Sequence, residues 1–599
     1  MKKFSSFLFL PLLAFAAQGA SFTNGQAARA VIGQNGFTDA YAVPYDSSNN
    51  VQHAQQNTLG GASGLAYANG FLYVADSNRL GATPLNNRVL VFPTTQIPRP
   101  QDDPSDPKFA HPSPECWLCG FQASAVIGQQ DYTTTLAGRN SLPSSSGGSL
   151  NMPIAVAVSP DGQAFAIADT NNNRVLIWNT PPTNQNTPPN VVLGQVNFTA
   201  FASPQVVSST SLRGPQGVWI QNGKLFVADT QNHRVLIWNN IPTQNNQPAD
   251  VVLGQPNFNS ANQPPPTSGN APTTAANQLY SPTSVTVSPD GAHLFVADLG
   301  FNRVLIWNSI PTRTDQGADV VIGQPDMTTS VSNWNVALCG SSDLDAQGHR
   351  KPCEATLNSP RFALSDGTRL FIADGGNDRV LIFNSIPTAN GAKADAVLGQ
   401  PDFTSDIITN QAQSIASTAI DNTSSVDTTP TPTSLAFDGT NLYVSDPFNR
   451  RVLLFTPSDV SLPGNSVVNW ASEIIRQEGV ITIALTSGGS ITANDSVTAT
   501  IAGTAYQYTV QKNDTLDAIA QGVVNKINSS NNNNGDPNVT ALFSGAGTGS
   551  LYLSSKGTNL SFDAISLAAS ASNTANLTVT TSGGYLSAGT AATASPGML

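Results

Sequence analysis

Short apolar runs separated by polar turns recur along the chain up to about residue 457. In the cleanest copy the run Phe165 to Asp169 is followed by a polar loop, and Arg174 opens a second run that continues to Trp178. Apolar runs of this length bounded by turn residues are typical of buried strands. Because the same unit occurs six times, the pattern predicts a modular repeat architecture.

Each unit carries an Asp before its polar loop and an Arg after it. The spacing is five residues in five copies, whereas the first copy contains an insertion. If the units are arranged in a ring, an active site needs residues that differ between units. Residues that recur in every unit therefore favour a structural role. We predict that each Arg pairs with its Asp and holds the loop closed. The pairs are Asp76/Arg88, Asp169/Arg174, Asp229/Arg234, Asp298/Arg303, Asp374/Arg379 and Asp446/Arg451.

A second motif, an apolar pair followed by Gly-Gln, alternates with the first. Together with hairpin signals such as Asn222-Gly223, it gives four strand-like runs in each unit. Four antiparallel strands repeated six times predict an all-β, six-bladed β-propeller. The first Gly-Gln run precedes every Asp-Arg loop, and no Gly-Gln run follows the last Asp-Arg loop. We therefore expect the N-terminal strand, Arg29 to Ile32, to complete the sixth blade. The motif begins at Val31, Val126, Val192, Val252, Val321 and Val397.

The repeated unit Ala-Asp-x-x-Asn-x-Arg-Val resembles the NHL-repeat family of propellers over about Ala28 to Thr456. The Gly-Gln-Pro-Asn/Asp-Phe variant looks like exported bacterial members of that family. The resemblance implies the fold. It implies no single function, because members include sensor domains, scaffolds, RNA binders and a metal-dependent lyase.

The composition changes after Pro457, where Ser, Thr, Asn, Ala and Gly dominate. We predict a linker over residues 458–478, a small α+β domain over 479–585 and a disordered tail over 586–599. Apolar residues from Leu516 to Ile527 follow helical spacing, with Asp514 as the expected N-cap. The thirteen residues from Tyr508 to Ala520 resemble the opening of a LysM peptidoglycan-binding module, although Asn513 replaces the usual Gly. This resemblance implies glycan binding.

The N-terminus predicts export. Lys2 and Lys3 precede an apolar stretch that reaches Ala17, and small residues allow cleavage after Gly19, so residues 1–19 are interpreted as a signal peptide. Charged residues make up 11 % of the chain and the net charge is −12. These values argue against nucleic acid and anionic membrane surfaces as partners. No other segment is apolar enough for membrane insertion.

The four cysteines form two close pairs, each inside an insertion between repeats. Local disulfides Cys116–Cys119 and Cys339–Cys353 fit an exported chain. A zinc site built from all four, helped by His111 or His349, is the alternative. A haem attachment site is excluded because Gly120 stands where His is required.

Two further observations bear on chemistry. The histidines do not recur in equivalent positions, so no cofactor or resident metal is predicted, although the lyases of the resembled family use metal-binding histidines near the channel. The fifth unit is irregular where each innermost strand begins: Phe362, preceded by Arg361, stands where the other units have a small residue. This pair is a candidate ligand contact, with local repacking as the alternative. The histidines are His53, His111, His233, His293 and His349; the small residues are Gly64, Ala155, Gly217, Ser284 and Ser434.

We therefore expect an exported, non-enzymatic binding or scaffold protein, secreted or retained at the cell surface or in the periplasm. Its propeller loops would recognise a protein or a cell-envelope glycan. A lyase or lactonase-type hydrolase sited in the central channel, with or without a metal, is the alternative.

Overall fold

The computed structural model describes residues 21–26, 28–34, 54–77, 86–99, 118–137, 148–184, 187–263, 274–344, 348–400, 402–405, 431–457, 477–530, 535–543, 549–555, 565–582 and 587–588. Within these residues the chain is mostly β-structure, as predicted. The proposed signal peptide, His53, His111 and Cys116 lie outside the described residues. In the helices of the described part, none is long and apolar enough to cross a membrane.

The described residues up to Thr456 form six four-stranded antiparallel sheets. Within each sheet the strands are given from the innermost to the outermost. Sheet 1 contains β2 (Ala62–Ala68), β3 (Phe71–Asp76), β4 (Arg88–Pro93) and β5 (Ala125–Ile127); sheet 2 contains β6 (Pro153–Val158), β7 (Phe165–Asp169), β8 (Arg174–Trp178) and β9 (Val191–Leu193); sheet 3 contains β10 (Gly217–Gln221), β11 (Lys224–Asp229), β12 (Arg234–Trp238) and β13 (Val251–Leu253).

The remaining three sheets follow the same plan, and a short helix, α1 (Asn335–Cys339), lies in the connection between the fourth and the fifth. Sheet 4 contains β14 (Pro282–Val287), β15 (Leu294–Asp298), β16 (Arg303–Trp307) and β17 (Val320–Ile322); sheet 5 contains β18 (Phe362–Ser365), β19 (Leu370–Asp374), β20 (Arg379–Phe383) and β21 (Ala396–Leu398); sheet 6 contains β22 (Leu435–Phe437), β23 (Leu442–Asp446), β24 (Arg451–Phe455) and β1 (Ala30–Ile32).

Local sequence explains the two ends of each sheet. At one end a hairpin joins the first two strands, and in sheet 3 it uses Asn222 and Gly223, both with positive φ, as this dipeptide predicts. At the other end the Asp and the Arg of each repeat are the last partners of the ladder, as in Asp229 opposite Arg234. The connections from each outermost strand to the next innermost strand lie at this second end, which we call the Asp-Arg face.

Apolar side chains pack between consecutive sheets and form the core. One cluster joins sheets 2 and 3 and others join sheets 1 and 2, 3 and 4, and 4 and 5. A further cluster contains side chains of sheets 5, 6 and 1 together with Phe22. The hydroxyl of Thr433, before β22, also donates to the Ser63 carbonyl in sheet 1 at 2.9 Å. The sheets thus stack face to face in a propeller-like arrangement in which sheet 6 contacts sheet 1.

The N-terminal strand belongs to the last sheet. β1 pairs antiparallel with β24, and Val31 lies opposite Leu453. All three residues of β1 are buried. Before it, the Asn24 side chain accepts a hydrogen bond from the Val397 amide at 3.1 Å, and the Gly25 amide donates to the Val397 carbonyl at 3.0 Å. The N-terminal segment therefore contacts sheet 5 and completes sheet 6.

The C-terminal part contains two sheets and a helix, α2 (Leu516–Asn528). The apolar face of α2, including Ile519 and Val523, is buried in one cluster with strands of both sheets. The first sheet orders its strands as β28 (Val539–Phe543), β29 (Ser550–Ser555), β25 (Gln477–Leu485) and β31 (Leu577–Thr581), with β32 (Ser587–Ala588) beside β25; the second orders them as β27 (Thr504–Thr509), β26 (Ser496–Ile501) and β30 (Leu567–Ala571).

Three sequence predictions for this part need correction. The N-cap of α2 is Thr515, whose hydroxyl accepts from the Ala518 amide, whereas Asp514 accepts from the Gln511 amide instead. β25 begins at Gln477, inside the predicted linker, and β32 lies inside the predicted tail. β25 pairs through its backbone with β29 and with β32. The paired residues at its start are polar, so no apolar pattern in the sequence predicts this pairing. The strands flanking α2 lie in different sheets, so the LysM-like stretch is part of a larger two-sheet unit.

Candidate functional site

The repeated Asp-Arg pairs are closed and buried. In every pair the Arg Nε lies 2.7 to 2.9 Å from the Asp Oδ2, and no partner is more than 3 % exposed. Burial raises the pKa of the carboxyls of Asp229 and Asp374, and the neighbouring guanidinium opposes that shift. Each pair is thus joined by one hydrogen bond between charged groups, and bonds of this kind are shorter and stronger than those between neutral groups.

Sheet 3 shows what each pair organises. Arg234 also donates to the carbonyls of Phe258, at 2.6 Å, and Ser211, at 2.9 Å, which belong to the connections on either side. The second oxygen of Asp229 accepts from the Arg213 amide at 2.7 Å. Five of the Arg residues make corresponding bonds to the connections, from Arg88 in sheet 1 to Arg379 in sheet 5. Each nitrogen of these five guanidinium groups donates to an acceptor of the protein itself, which fits a structural role rather than ligand binding.

The Gln of the Gly-Gln motif has a role that sequence reasoning did not assign. In all six copies its Nε2 donates to the carbonyl of the residue preceding the repeated Arg, over 2.8 to 3.2 Å. The preceding Gly has a φ between +82° and +94°, and at Gly254 a Cβ would lie 2.6 Å from the Leu279 side chain. The sequence did contain a sign of this role, because a Gln recurs two residues after each of these buried strands.

A side-chain clasp joins consecutive sheets at the Asp-Arg face. The residue before each repeated Arg has a left-handed conformation, and in five sheets its side chain accepts from the backbone amide just before the next innermost strand. These bonds measure 2.7 to 3.1 Å. The acceptors are Asn87, Asn173, His233, Asn302 and Asp378, and their donors are Met152, Gly214, Ser281, Ser359 and Thr431.

The described histidines do not converge. His233 is one of the clasp residues: its Nδ1 accepts from the Ser281 amide, and burial, with Arg213 nearby, lowers its pKa. His293 lies on the hairpin of sheet 4, at the opposite end from the Asp-Arg face. His349 lies in the connection that follows sheet 4. This placement gives no support to a histidine metal centre among the described residues.

The cysteines favour disulfides over zinc. Cys339 and Cys353 form a disulfide, and Cys119 is disulfide-bonded as well. In the described ranges, the one group of His, Cys, Asp and Glu side chains compact enough for a metal is Cys339, Cys353 and Glu354. Its two sulfurs are bonded to each other, so the zinc alternative is wrong for this pair. The disulfide fits an extracellular or periplasmic location.

The predicted irregularity in the fifth repeat lies where the register argument put it. Phe362 pairs with Ala373, just as Gly217 pairs with Ala228 in sheet 3. A Cβ on Gly217 would lie 3.0 Å from the Ser284 Cα of the next sheet, which explains why small residues prevail at these positions. The Arg361 side chain packs on Gly375, in the turn after β19. A Cβ added to Gly375 would lie 2.8 Å from the Arg361 Nε, so a larger residue would leave no room for this contact.

The innermost strands bring apolar rather than ionisable groups together. Trp219 of sheet 3 packs against the cluster formed by sheets 5, 6 and 1, so its indole reaches across the space between the innermost strands. Leu364 and Phe362 belong to the same cluster. In the described part of the chain, this region offers no converging set of catalytic carboxylates or histidines.

Exposed apolar side chains concentrate on the connections of the Asp-Arg face. Among the described residues, eight large hydrophobic side chains are exposed, and six of them lie on connections between an outermost strand and the next innermost strand. All six are at least half exposed, unlike Phe71 on the hairpin side of sheet 1. The six are Leu136, Val196, Phe201, Val206, Val336 and Leu344.

Comparisons with known proteins give a distant picture. No protein-family model and no curated protein matches the chain. Among solved structures, hydrazine synthase of Kuenenia stuttgartiensis is similar at 13 % identity and a TM-score of 0.34, over 69 % of this chain and 99 % of that one. An auxiliary nutrient binding protein of Bacteroides thetaiotaomicron is similar at 11 % identity and a TM-score of 0.34, over 70 % and 76 % respectively. Similarity this weak leaves the function to be argued from the chain's own residues.

Proposed function

We propose that residues 20–457 form a closed, six-bladed, NHL-type propeller with sheets 1 to 6 as blades, exported after removal of residues 1–19. The pairing of β1 with β24 and the hydrogen bond from Thr433 to the Ser63 carbonyl support closure. Closure removes sheet edges that would otherwise recruit other chains. The disulfide Cys339–Cys353 supports export to an oxidising compartment.

The propeller would serve as a non-enzymatic binding protein whose Asp-Arg face holds a protein partner. The single observation behind this proposal is the concentration of exposed Val, Leu and Phe side chains on the connections of that face. Exposed apolar side chains grouped on one face of a protein are a feature of interaction surfaces. Side chains such as Val206 and Val196 are aliphatic, which favours a protein partner over a glycan. The repeated ion pairs below them would supply the rigid support that recognition loops need.

A differential capture experiment tests this function. The full-length protein, Phe201→Ser with Val206→Ser, and the control Phe71→Ser would be used as baits in cell-envelope extract. We expect a partner that binds the wild type and the control but is lost with the double variant. A bound species resistant to protease and sensitive to glycosidase would instead identify a glycan ligand. Equal capture by all three baits would contradict the placement of the binding surface.

A further inference from the structure

The fifth sheet differs from the others at one place where several departures coincide. Next to the Asp of each repeat, the other sheets carry a side chain: Ser77, Thr170, Thr230, Leu299 or Pro447. The three hydroxyls among them, those of Ser77, Thr170 and Thr230, each donate to a proline carbonyl at or just before the next innermost strand. Sheet 5 has Gly375 at this position, and the vacated volume holds the Arg361 side chain.

Arg361 has no hydrogen-bonding partner for its charge. Its backbone amide and carbonyl are both bonded, to Ala373 and to the Thr283 hydroxyl. In the described residues, however, its guanidinium makes no hydrogen bond or ion pair, and its Nε is buried without any acceptor. The six repeated Arg residues, by contrast, each have their Nε on an aspartate. A buried donor left unpaired costs stability, so its persistence at an irregular position points to a ligand.

The surroundings define the charge that Arg361 would accept. The negative charge of Asp378 raises the pKa of Arg361 and so opposes the effect of burial. Its Oδ1, however, already accepts a hydrogen bond from the Thr431 amide at 2.7 Å. Burial lowers the pKa of Arg361, which an incoming anion would offset. With Asp378 close by and a net charge of −12 on the chain, a dianion would meet repulsion. A monoanion with two coplanar oxygens matches the guanidinium fork.

We propose that Arg361 is the anchor of a ligand site at the start of the innermost strand of sheet 5, and that it binds the carboxylate of a monoanionic ligand through both of its oxygens. Phe362, 9 % exposed, would contact the ligand beside the carboxylate. A free peptide C-terminus and a uronic acid present the same carboxylate chemistry. The inference rests on the proposed binding function and specifies the chemistry of one contact on the Asp-Arg face.

Titration of the full-length protein with two carboxylates tests the site and separates the two sources. N-acetylalanine represents a peptide C-terminus, galacturonate represents a uronic acid, and N-acetylalanine amide and galactose are their uncharged controls. At constant ionic strength, we expect at least one carboxylate to raise the thermal midpoint in proportion to its occupancy. Its uncharged control and sulfate should have no effect.

Matched variants identify the anchor. Arg361→Gln should weaken carboxylate binding roughly tenfold or more, as expected for loss of a charged hydrogen-bond donor. Arg361→Lys should bind with intermediate affinity, because an ammonium cannot form two parallel bonds. Arg213→Gln removes an exposed Arg from the same face and should bind like the wild type. Equal affinity in Arg361→Gln, or no effect of either carboxylate on the wild type, would overturn the proposal.

A labelling measurement on the wild type does not depend on how the variants fold. Phenylglyoxal modifies accessible guanidinium groups, and mass spectrometry can locate the modified residues. The carboxylate should protect Arg361 but not Arg213; equal labelling of Arg361 with and without it would count against the site. Because these probes are small molecules, failure here leaves the capture experiment on Phe201 and Val206 unaffected, and failure there leaves this test unaffected.

Discussion

Five junctions between consecutive sheets and the sixth junction, from sheet 6 back to sheet 1, are built differently. At the first five, the side chain of an Asn, His or Asp with a left-handed backbone conformation accepts a hydrogen bond from a backbone amide just before the next sheet. At the sixth, Arg450 occupies the corresponding position, also with positive φ, and a guanidinium can only donate. This junction lies in the sheet that β1 completes. Between sheets that follow each other in the sequence, one side-chain acceptor joins the two sheets. The first and last segments, which are far apart in the sequence, are joined by the pairing of β1 with β24.

Removing the N-terminal segment should produce the largest effect. Deletion of residues 21–34 exposes the edge of β24 and removes Gln34, whose amide donates to the Arg450 carbonyl. We expect loss of cooperative thermal unfolding, or aggregation visible by light scattering. As a milder pair of variants, Val31→Asp should do the same because Val31 is fully buried, whereas Val196→Asp, 69 % exposed, should not. A truncated protein that unfolds like the full chain would show that sheet 6 is stable without β1.

Breaking one repeated ion pair should have the next largest effect. Arg234→Ala leaves the buried Asp229 carboxylate without its partner, which costs about 3–5 kcal/mol in comparable buried pairs. The free energy of unfolding from urea denaturation measures this loss. Lys393→Ala is the control, because its pair with Glu354 is largely exposed and should contribute about 1 kcal/mol or less. Similar losses in both variants would argue that the repeated pairs do not support the fold.

Removing a single clasp should cost less. Asn302→Gly keeps the left-handed backbone accessible but removes the acceptor of the Ser359 amide and the donor to the Ser330 carbonyl. We expect a decrease of about 1–3 kcal/mol in the free energy of unfolding. Asn302→Asp keeps the acceptor and should lose less. If both variants are as stable as the wild type, the clasp does not hold the junction together.

The smallest effect concerns pH and the one clasp built from histidine. His233 accepts through Nδ1, packs beside the Tyr280 ring and lies near Arg213, and burial lowers its pKa in the folded state. The unfolded chain therefore binds the proton more readily than the folded chain. Stability should be full above pH ~6.5 and fall as the pH drops below this value toward the lower folded-state pKa. His233→Asn, which introduces the residue found in the clasps of Asn173 and Asn302, should remove this contribution from the pH profile of urea midpoints. An unchanged profile would place its origin elsewhere.

Sequence predicted the elements that depend on spacing and missed those that depend on three-dimensional proximity. The Asp-to-Arg interval is fixed by a two-strand turn, so the pair Asp229–Arg234 could be anticipated. The clasp could not, because Asn173, His233 and Asp378 share no residue identity, only an acceptor atom. The irregularity at Arg361 was visible in the alignment of repeats. Its unpaired guanidinium was not, since that depends on the side chain packing over Gly375.

The pairing of β1 with β24 also has a consequence for the order of folding. Arg29, directly before β1, donates a hydrogen bond to the Thr456 hydroxyl across 427 residues of sequence. Sheets 1 to 5 are built from strands that are close in sequence and can form as the chain emerges. Sheet 6 cannot form until β24 has followed the strands of sheets 1 to 5, and contacts over such separations form slowly. β1 is thus made before the other strands of sheets 1 to 6 but is among the last to pair, so it stays open to other chains until β24 is available.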